Sequence, residues 1–206
     1  RREWASATAA PFKLYKGAVA DGGIRAPFIV AGPGVARAVT SGQLAHITDV
    51  PATVYELAGV DVRSAAPFKG KLPPEGRSLA PNWRDPAYRQ SRTFATELFG
   101  HAAVVSDSWK ATRLNPPLGD GRWRLYDLSA DPSEMIDVGG EHQDRLAEMI
   151  AFYDDYRSRV GVIAPQPPVA ISVGDLFTEE CSWWCEVSVS IMDAALRVWQ
   201  RVATRN

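Results

Sequence analysis

Apolar and polar positions follow two different periods along the chain, and the change of period divides it into regions. From Glu141 to Val160 apolar residues recur every three or four positions. Leu146, Met149, Ile150, Tyr153, Tyr156 and Val160 form one stripe, which predicts an amphipathic helix. Upstream of it the period is two. Thr93–Leu98, Ala102–Val105, Trp109–Arg113 and Trp123–Leu128 read as short strands, with Ser106-Asp107-Ser108 as a hairpin turn. Trp123, Leu125 and Asp127 alternate against Arg124, Tyr126 and Leu128, the pattern of a sheet covered on one face. Asp131-Pro132-Ser133-Glu134 is good turn chemistry and is assigned to folding. Together these elements predict a small α+β unit, an antiparallel sheet plus one long helix.

The first third of the chain has a different texture. Residues 1–13 read as loop. Ile24–Ala31 is an apolar strand candidate between Gly22-Gly23 and Gly32-Pro33-Gly34, with Pro27 restricting it to an edge or a bulge. Thr48-Asp49 offers cap oxygens for a short helix, with Pro51 in its first turn and Gly59 as its left-handed stop. Val50, Val54, Leu57 and Ala58 share its apolar face. Residues 61–92 carry five prolines and neither period, and so read as a long linking loop. A second amphipathic stripe, Ile191, Ala195, Val198, Trp199 and Val202, follows Pro165-Gln166-Pro167-Pro168.

Composition narrows the function classes. Over 206 residues, 23 Lys+Arg balance 24 Asp+Glu, so the footprint of a backbone-binding nucleic-acid protein is absent. The longest stretch without Asp, Glu, Lys or Arg is Val160–Gly174. It is 15 residues long and contains three prolines, too short and too broken to span a bilayer. The two cysteines, Cys181 and Cys185, form neither a disulfide framework nor a zinc site, and are read as small hydrophobes beside Trp183 and Trp184. A cytoplasmic location is expected, with the periplasm as the alternative. The chain begins with Arg1 and its first methionine is Met135, the pattern expected of a piece of a longer protein.

Common catalytic templates are not encoded. There is no Gly-x-Ser-x-Gly elbow, no P-loop and no His-Glu-x-x-His, and His46, His101 and His142 lack ligand-like spacing. One local pattern is more specific: Lys16-Gly17 followed by Asp21-Gly22-Gly23-Ile24-Arg25-Ala26-Pro27. Adjacent glycines permit a tight turn and close backbone approach, and a lysine beside them can set an ammonium against an anionic oxygen.

This segment resembles the one that enters the active site of the sulfatase family from its C-terminal half. His46-Ile47-Thr48-Asp49-Val50-Pro51-Ala52-Thr53, ending at Leu57-Ala58-Gly59, resembles the helix that follows it there. Glu97-Leu98-Phe99-Gly100, Asp107-Ser108-Trp109-Lys110 and Leu125-Tyr126-Asp127-Leu128-Ser129-Ala130-Asp131-Pro132-Ser133-Glu134 are similar to that family's C-terminal subdomain. So are Asp137-Val138 and the helix closing at Gly161-Val162-Ile163. The order agrees over about residues 3–163, and the likeness is best to bacterial arylsulfatases of the formylglycine type.

The resemblance implies an α/β protein, part of an alkaline-phosphatase-like sulfatase fold with a small C-terminal α+β subdomain. Residues 1–60 would end the large domain, 61–92 would link, 93–163 would form the subdomain, and 164–206 would be a tail of unknown role with an amphipathic helix. It also implies a sulfuric ester hydrolase acting on sulfate ester substrates with calcium. Lys16 matches the lysine that contacts the sulfate, where it would stabilise charge on the sulfuryl oxygens and on the leaving group.

The family nucleophile arises from Cys or Ser in Cys/Ser-x-Pro-x-Arg, yet none of the 15 prolines here has Cys or Ser two positions before it. The calcium ligands would likewise lie outside this chain, so the isolated chain is expected to be inactive. Arg25 is read as tying the loop to a neighbouring carboxylate, His46 as structural, and Trp109 and Trp123 as sheet-core residues. Exposed apolar surface on the N-terminal strand is expected to favour self-association. Two alternatives stand beside this reading: a phosphate ester or diester hydrolase of the same superfamily, and a non-catalytic interaction module.

Overall fold

The structure is a computed structural model and describes residues 2–62, 68–72, 74–116 and 118–163. Cys181, Cys185 and the apolar stripe from Ile191 lie outside the described residues. The chain divides into two compact units, one made of the first 25 residues together with Ala95 onward, the other of Ala26–Phe94.

In the first unit the chain begins with α1 (Arg2–Ala9) and a single turn, α2 (Asp21–Ile24). A loop was expected over 1–13. The alanines at 5, 7 and 9 instead carry a helix that ends two residues before Pro11. The sheet is β1 (Thr93–Leu98), β2 (His101–Ser106), β3 (Trp109–Arg113) and β4 (Trp123–Asp127), in that spatial order, followed by α5 (Gln143–Val160). Pairing is antiparallel, with Val104 opposite Ala111 and Ala111 opposite Leu125. β1 joins β2 through Phe99 and Gly100, both at positive φ, the geometry that matches strand twist in a two-residue hairpin. Asp107 also adopts positive φ in the expected β2–β3 turn.

The period of two puts Ala102, Val104, Ala111 and Leu125 on one face, where they pack against Met149 and Tyr153 of α5. Trp109 meets His142 edge-on, and Trp123 meets Tyr153 in the same way. α5 ends at Gly161, whose φ of 69° lets the amides of Gly161 and Val162 both donate to the Arg157 carbonyl.

The second face differs from expectation. A sheet covered on one side was predicted, yet Ala103, Val105, Lys110 and Tyr126 on the other side are all buried. Val19 packs against Ala103 and Leu114 there, with Leu14, Leu98 and Leu118 beside them. In the sequence pattern Arg124, Tyr126 and Leu128 form the uncovered side of the alternation. What covers Lys110 is a segment nearly ninety positions upstream, which strand periodicity does not encode.

The second unit contains α3 (Asp49–Leu57) and α4 (Ala80–Arg84), the latter inside the expected loop. The α3 boundaries agree with prediction. Gly59 at φ 66° and Val60 close it, donating to the carbonyls of Glu56 and Tyr55. Its buried face does not agree. Asp49 and Thr53 are buried, whereas Val54 and Leu57 of the apolar stripe are exposed. A polar network holds that face. The Asp49 carboxylate accepts from the amides of His46 (2.7 Å) and Arg77 (2.8 Å) and pairs with Arg92. Thr53 Oγ1 donates to the Asp49 carbonyl at 2.6 Å and accepts from the Leu79 amide at 2.9 Å.

No strand forms over residues 25–31. A strand needs a ladder partner for its amides and carbonyls, and none of the described residues provides one there. Phe28 and Ile29 are 54% and 90% exposed as a result. No helix among the described residues is long and apolar enough to cross a membrane.

Candidate functional site

Lys16 occupies the second position of a tight turn, in which the Ala18 amide donates to the Tyr15 carbonyl at 3.2 Å. Gly17, the third residue, has φ 99°, a value that favours glycine at this position of a type II turn. The Lys16 side chain is exposed, and among the described residues its ammonium has no hydrogen bond or ion pair. The turn is held from below by Gly22 and Gly23. A Cβ on Gly22 would lie 2.6 Å from the Lys13 carbonyl oxygen and closer still to that of Leu14. On Gly23 it would lie 2.8 Å from the Tyr15 oxygen and closer still to that of Ala18. The paired glycines are therefore a requirement of close backbone approach.

Directly after the turn, Val19 and Ala20 are fully buried, and Asp21 enters a cluster of buried charges. Lys110 Nζ lies 2.6 Å from Asp21 Oδ1 and 2.9 Å from Glu134 Oε1. The Asp21 amide donates to the same Glu134 oxygen at 2.5 Å. Arg25 reaches back to Asp21 Oδ2 at 3.2 Å while its guanidinium lies over the Phe12 ring at 4.7 Å. Lys13 Nζ donates to the Glu134 carbonyl at 2.9 Å and lies over the Tyr126 ring. Chemically, the cluster anchors the Lys16 turn to the second face of the sheet, leaving one uncompensated ammonium presented to solvent. A free ammonium of this kind is suited to an anionic oxygen.

Other singled-out residues take structural roles. Arg25 ties its loop to a carboxylate, as read from the sequence. His46 Nδ1 lies 2.9 Å from Thr48 Oγ1 and its ring packs on Phe94, so it shapes the approach to α3. His101 is buried, and its Nδ1 accepts the Asn115 amide at 3.0 Å. Burial holds its pKa below the ordinary histidine value against the opposing charge of Glu97, so the imidazole is neutral at pH 7. Asp131 does fold its turn, accepting the amides of Met135 and Ile136.

Sequence reasoning missed Asp21, Lys110 and Glu134 as one group. The only signals were a lone charge in an alternating strand and the last residue of a turn, and neither spacing indicates a partner. The residues also do not fit calcium. Among the described residues no group of three or more His, Cys, Asp or Glu could hold a metal. Asp21 and Glu134 do converge, but the Lys110 ammonium occupies the position between them where a cation would bind.

No protein-family model matches the sequence. An uncharacterized sulfatase of Schizosaccharomyces pombe is 32% identical over 181 residues, covering 83% of this chain and 32% of that protein. The arylsulfatase of Klebsiella aerogenes is 38% identical over 80 residues, 37% of this chain and 17% of that protein. A crystal structure described as Ps i-CgsB shares the fold, with a TM-score of 0.53 and 24% identity. The match covers 71% of this chain and 32% of that one. The chain thus spans about a third or less of the length of the curated relatives it matches. It is a homologue of the sulfatases and corresponds to a partial region of them.

Proposed function

We propose that the whole protein containing these residues hydrolyses sulfate esters, with Lys16 contacting the sulfate. The observation that carries this reading is the exposed Lys16 ammonium on a turn whose backbone is fixed by Gly22, Gly23 and the buried Asp21. A preorganised cation costs no reorganisation as negative charge develops on sulfuryl oxygens or on a leaving alkoxide or phenoxide. The likeness to an arylsulfatase favours sulfate over phosphate as the ester and aryl sulfates as the first substrates to try. The nucleophile and calcium of such chemistry would be held by residues other than those described.

The 206-residue chain alone is accordingly expected to show no turnover. Incubation of the purified chain with an aryl sulfate and calcium tests this, and turnover above that of Lys16→Ala would overturn it. Phe28 and Ile29 support self-association. Sedimentation velocity across a concentration series tests that, and a single monomeric species throughout would remove it.

A further inference from the structure

We propose that Glu134 is the positioning residue of Lys16, stapling both feet of its turn to the sheet; this rests on the reading of Lys16 as the sulfate contact. The turn that carries Lys16 leaves Lys13 and returns at Asp21, and Glu134 binds both. Its backbone carbonyl accepts Lys13 Nζ at 2.9 Å, and its Oε1 accepts the Asp21 amide at 2.5 Å. The loop is closed between those feet by the Gly22 amide, which donates to the Lys13 carbonyl at 3.0 Å.

Glu134 is itself held firmly. Its φ of 54° is the left-handed conformation that ends the Asp131-Pro132-Ser133-Glu134 turn, and Ser133 Oγ donates to the Pro11 carbonyl at 2.8 Å. Its side chain is fully buried, and Lys110 neutralises it from the sheet side. Burying a carboxylate is costly even when it is paired, and Lys110 already has a second carboxylate partner in Asp21. What the carboxylate adds is a directional acceptor on the residue that ends the Lys16 turn. Glu134 touches no substrate in this account and acts only by holding the Lys16 ammonium in one place.

The test uses the full ¹⁵N-labelled chain. Wild-type protein should show Lys16 and Gly17 order parameters near ~0.85, with an Asp21 amide exchanging as slowly as the amides of β3. Glu134→Leu, which removes the acceptor, should drop the order parameters at Lys16 and Gly17 below ~0.6 while β2 and β3 amides keep their protection. Glu134→Gln retains an oxygen at Oε1 and should restore the wild-type values. A merely structural role would lower protection evenly across loop and sheet in both variants, and that result overturns the proposal.

If Glu134→Leu does not fold, the wild-type Asp21 amide decides. Exchange at the rate of an open loop overturns the proposal, and core-like exchange together with Glu134→Gln rescue supports it. These readouts contain no sulfate ester, so a failure of the sulfate reading leaves them unchanged and is detected separately by turnover.

Discussion

The Lys110 ammonium lies 2.6 Å from the Asp21 carboxylate across 89 positions of sequence, with both side chains buried between the sheet and the segment that carries Lys16. This ion pair joins β3 to the segment that directly follows the Lys16 turn. Glu134 completes the set as a second carboxylate on the same ammonium.

Lys110→Met leaves the buried Glu134 carboxylate without its cation and Asp21 with only the half-exposed Arg25. Breaking a buried pair by removing one partner typically costs about 3–5 kcal/mol. Urea unfolding of the variant should therefore show a loss in that range. A loss under about 1 kcal/mol, the scale of a surface ion pair, would show that the cluster does not hold the loop on the sheet.

Gly22→Ala meets a different obstacle. The new Cβ would be forced against the carbonyls of Lys13 and Leu14, which are backbone atoms with nowhere to move. An overpacking cost of about 1–3 kcal/mol is expected, with amide shifts confined to residues 13–24. A variant as stable as wild type, with unshifted resonances there, would contradict the close approach described above.

His101 sets a pH dependence. Its folded pKa lies below the ordinary 6.5 because burial opposes the charge, with Glu97 pulling weakly the other way. Between the folded value and 6.5 the unfolded chain binds a proton that the folded chain refuses. Stability contributed by the neutral imidazole is therefore present above 6.5 and is lost as pH falls below it. Protonation would also replace the Nδ1 lone pair that accepts the Asn115 amide. Unfolding free energy measured from pH 7.5 to 5 should fall for wild type and fall less for His101→Gln. Parallel curves would place the titration elsewhere.

Much of this architecture was legible in local pattern. The period of 3.6 gave α5, the period of 2 gave β3 and β4, Gly59 marked the end of α3 and Asp107 the β2–β3 turn. Gly22 and Gly23 announced a close approach before any partner was known. The Phe99-Gly100 hairpin was not seen, because phenylalanine is not a residue that normally signals positive φ. Nor was the inversion of α3, whose exposed Val54 and Leu57 look like a core face until Asp49 is found collecting two amides and Arg92. The second covered face of the sheet was invisible for the same reason as the Lys110 cluster. Its cover comes from residues 14–21, and no local period reports a contact made at that distance in sequence.

The proposed sulfate ester hydrolysis places Lys16 against the sulfate. Lys16 is exposed, so Lys16→Ala should leave stability within about 0.5 kcal/mol. The most direct measurement is therefore steady-state hydrolysis of an aryl sulfate, with the matching aryl phosphate as comparison, by the full gene product containing these residues and by its Lys16→Ala variant. Loss of one preorganised electrostatic contact predicts a drop of about 10²–10³ in kcat for the sulfate ester with folding intact. Equal turnover by the two proteins, or hydrolysis of the phosphate ester alone, would contradict the account.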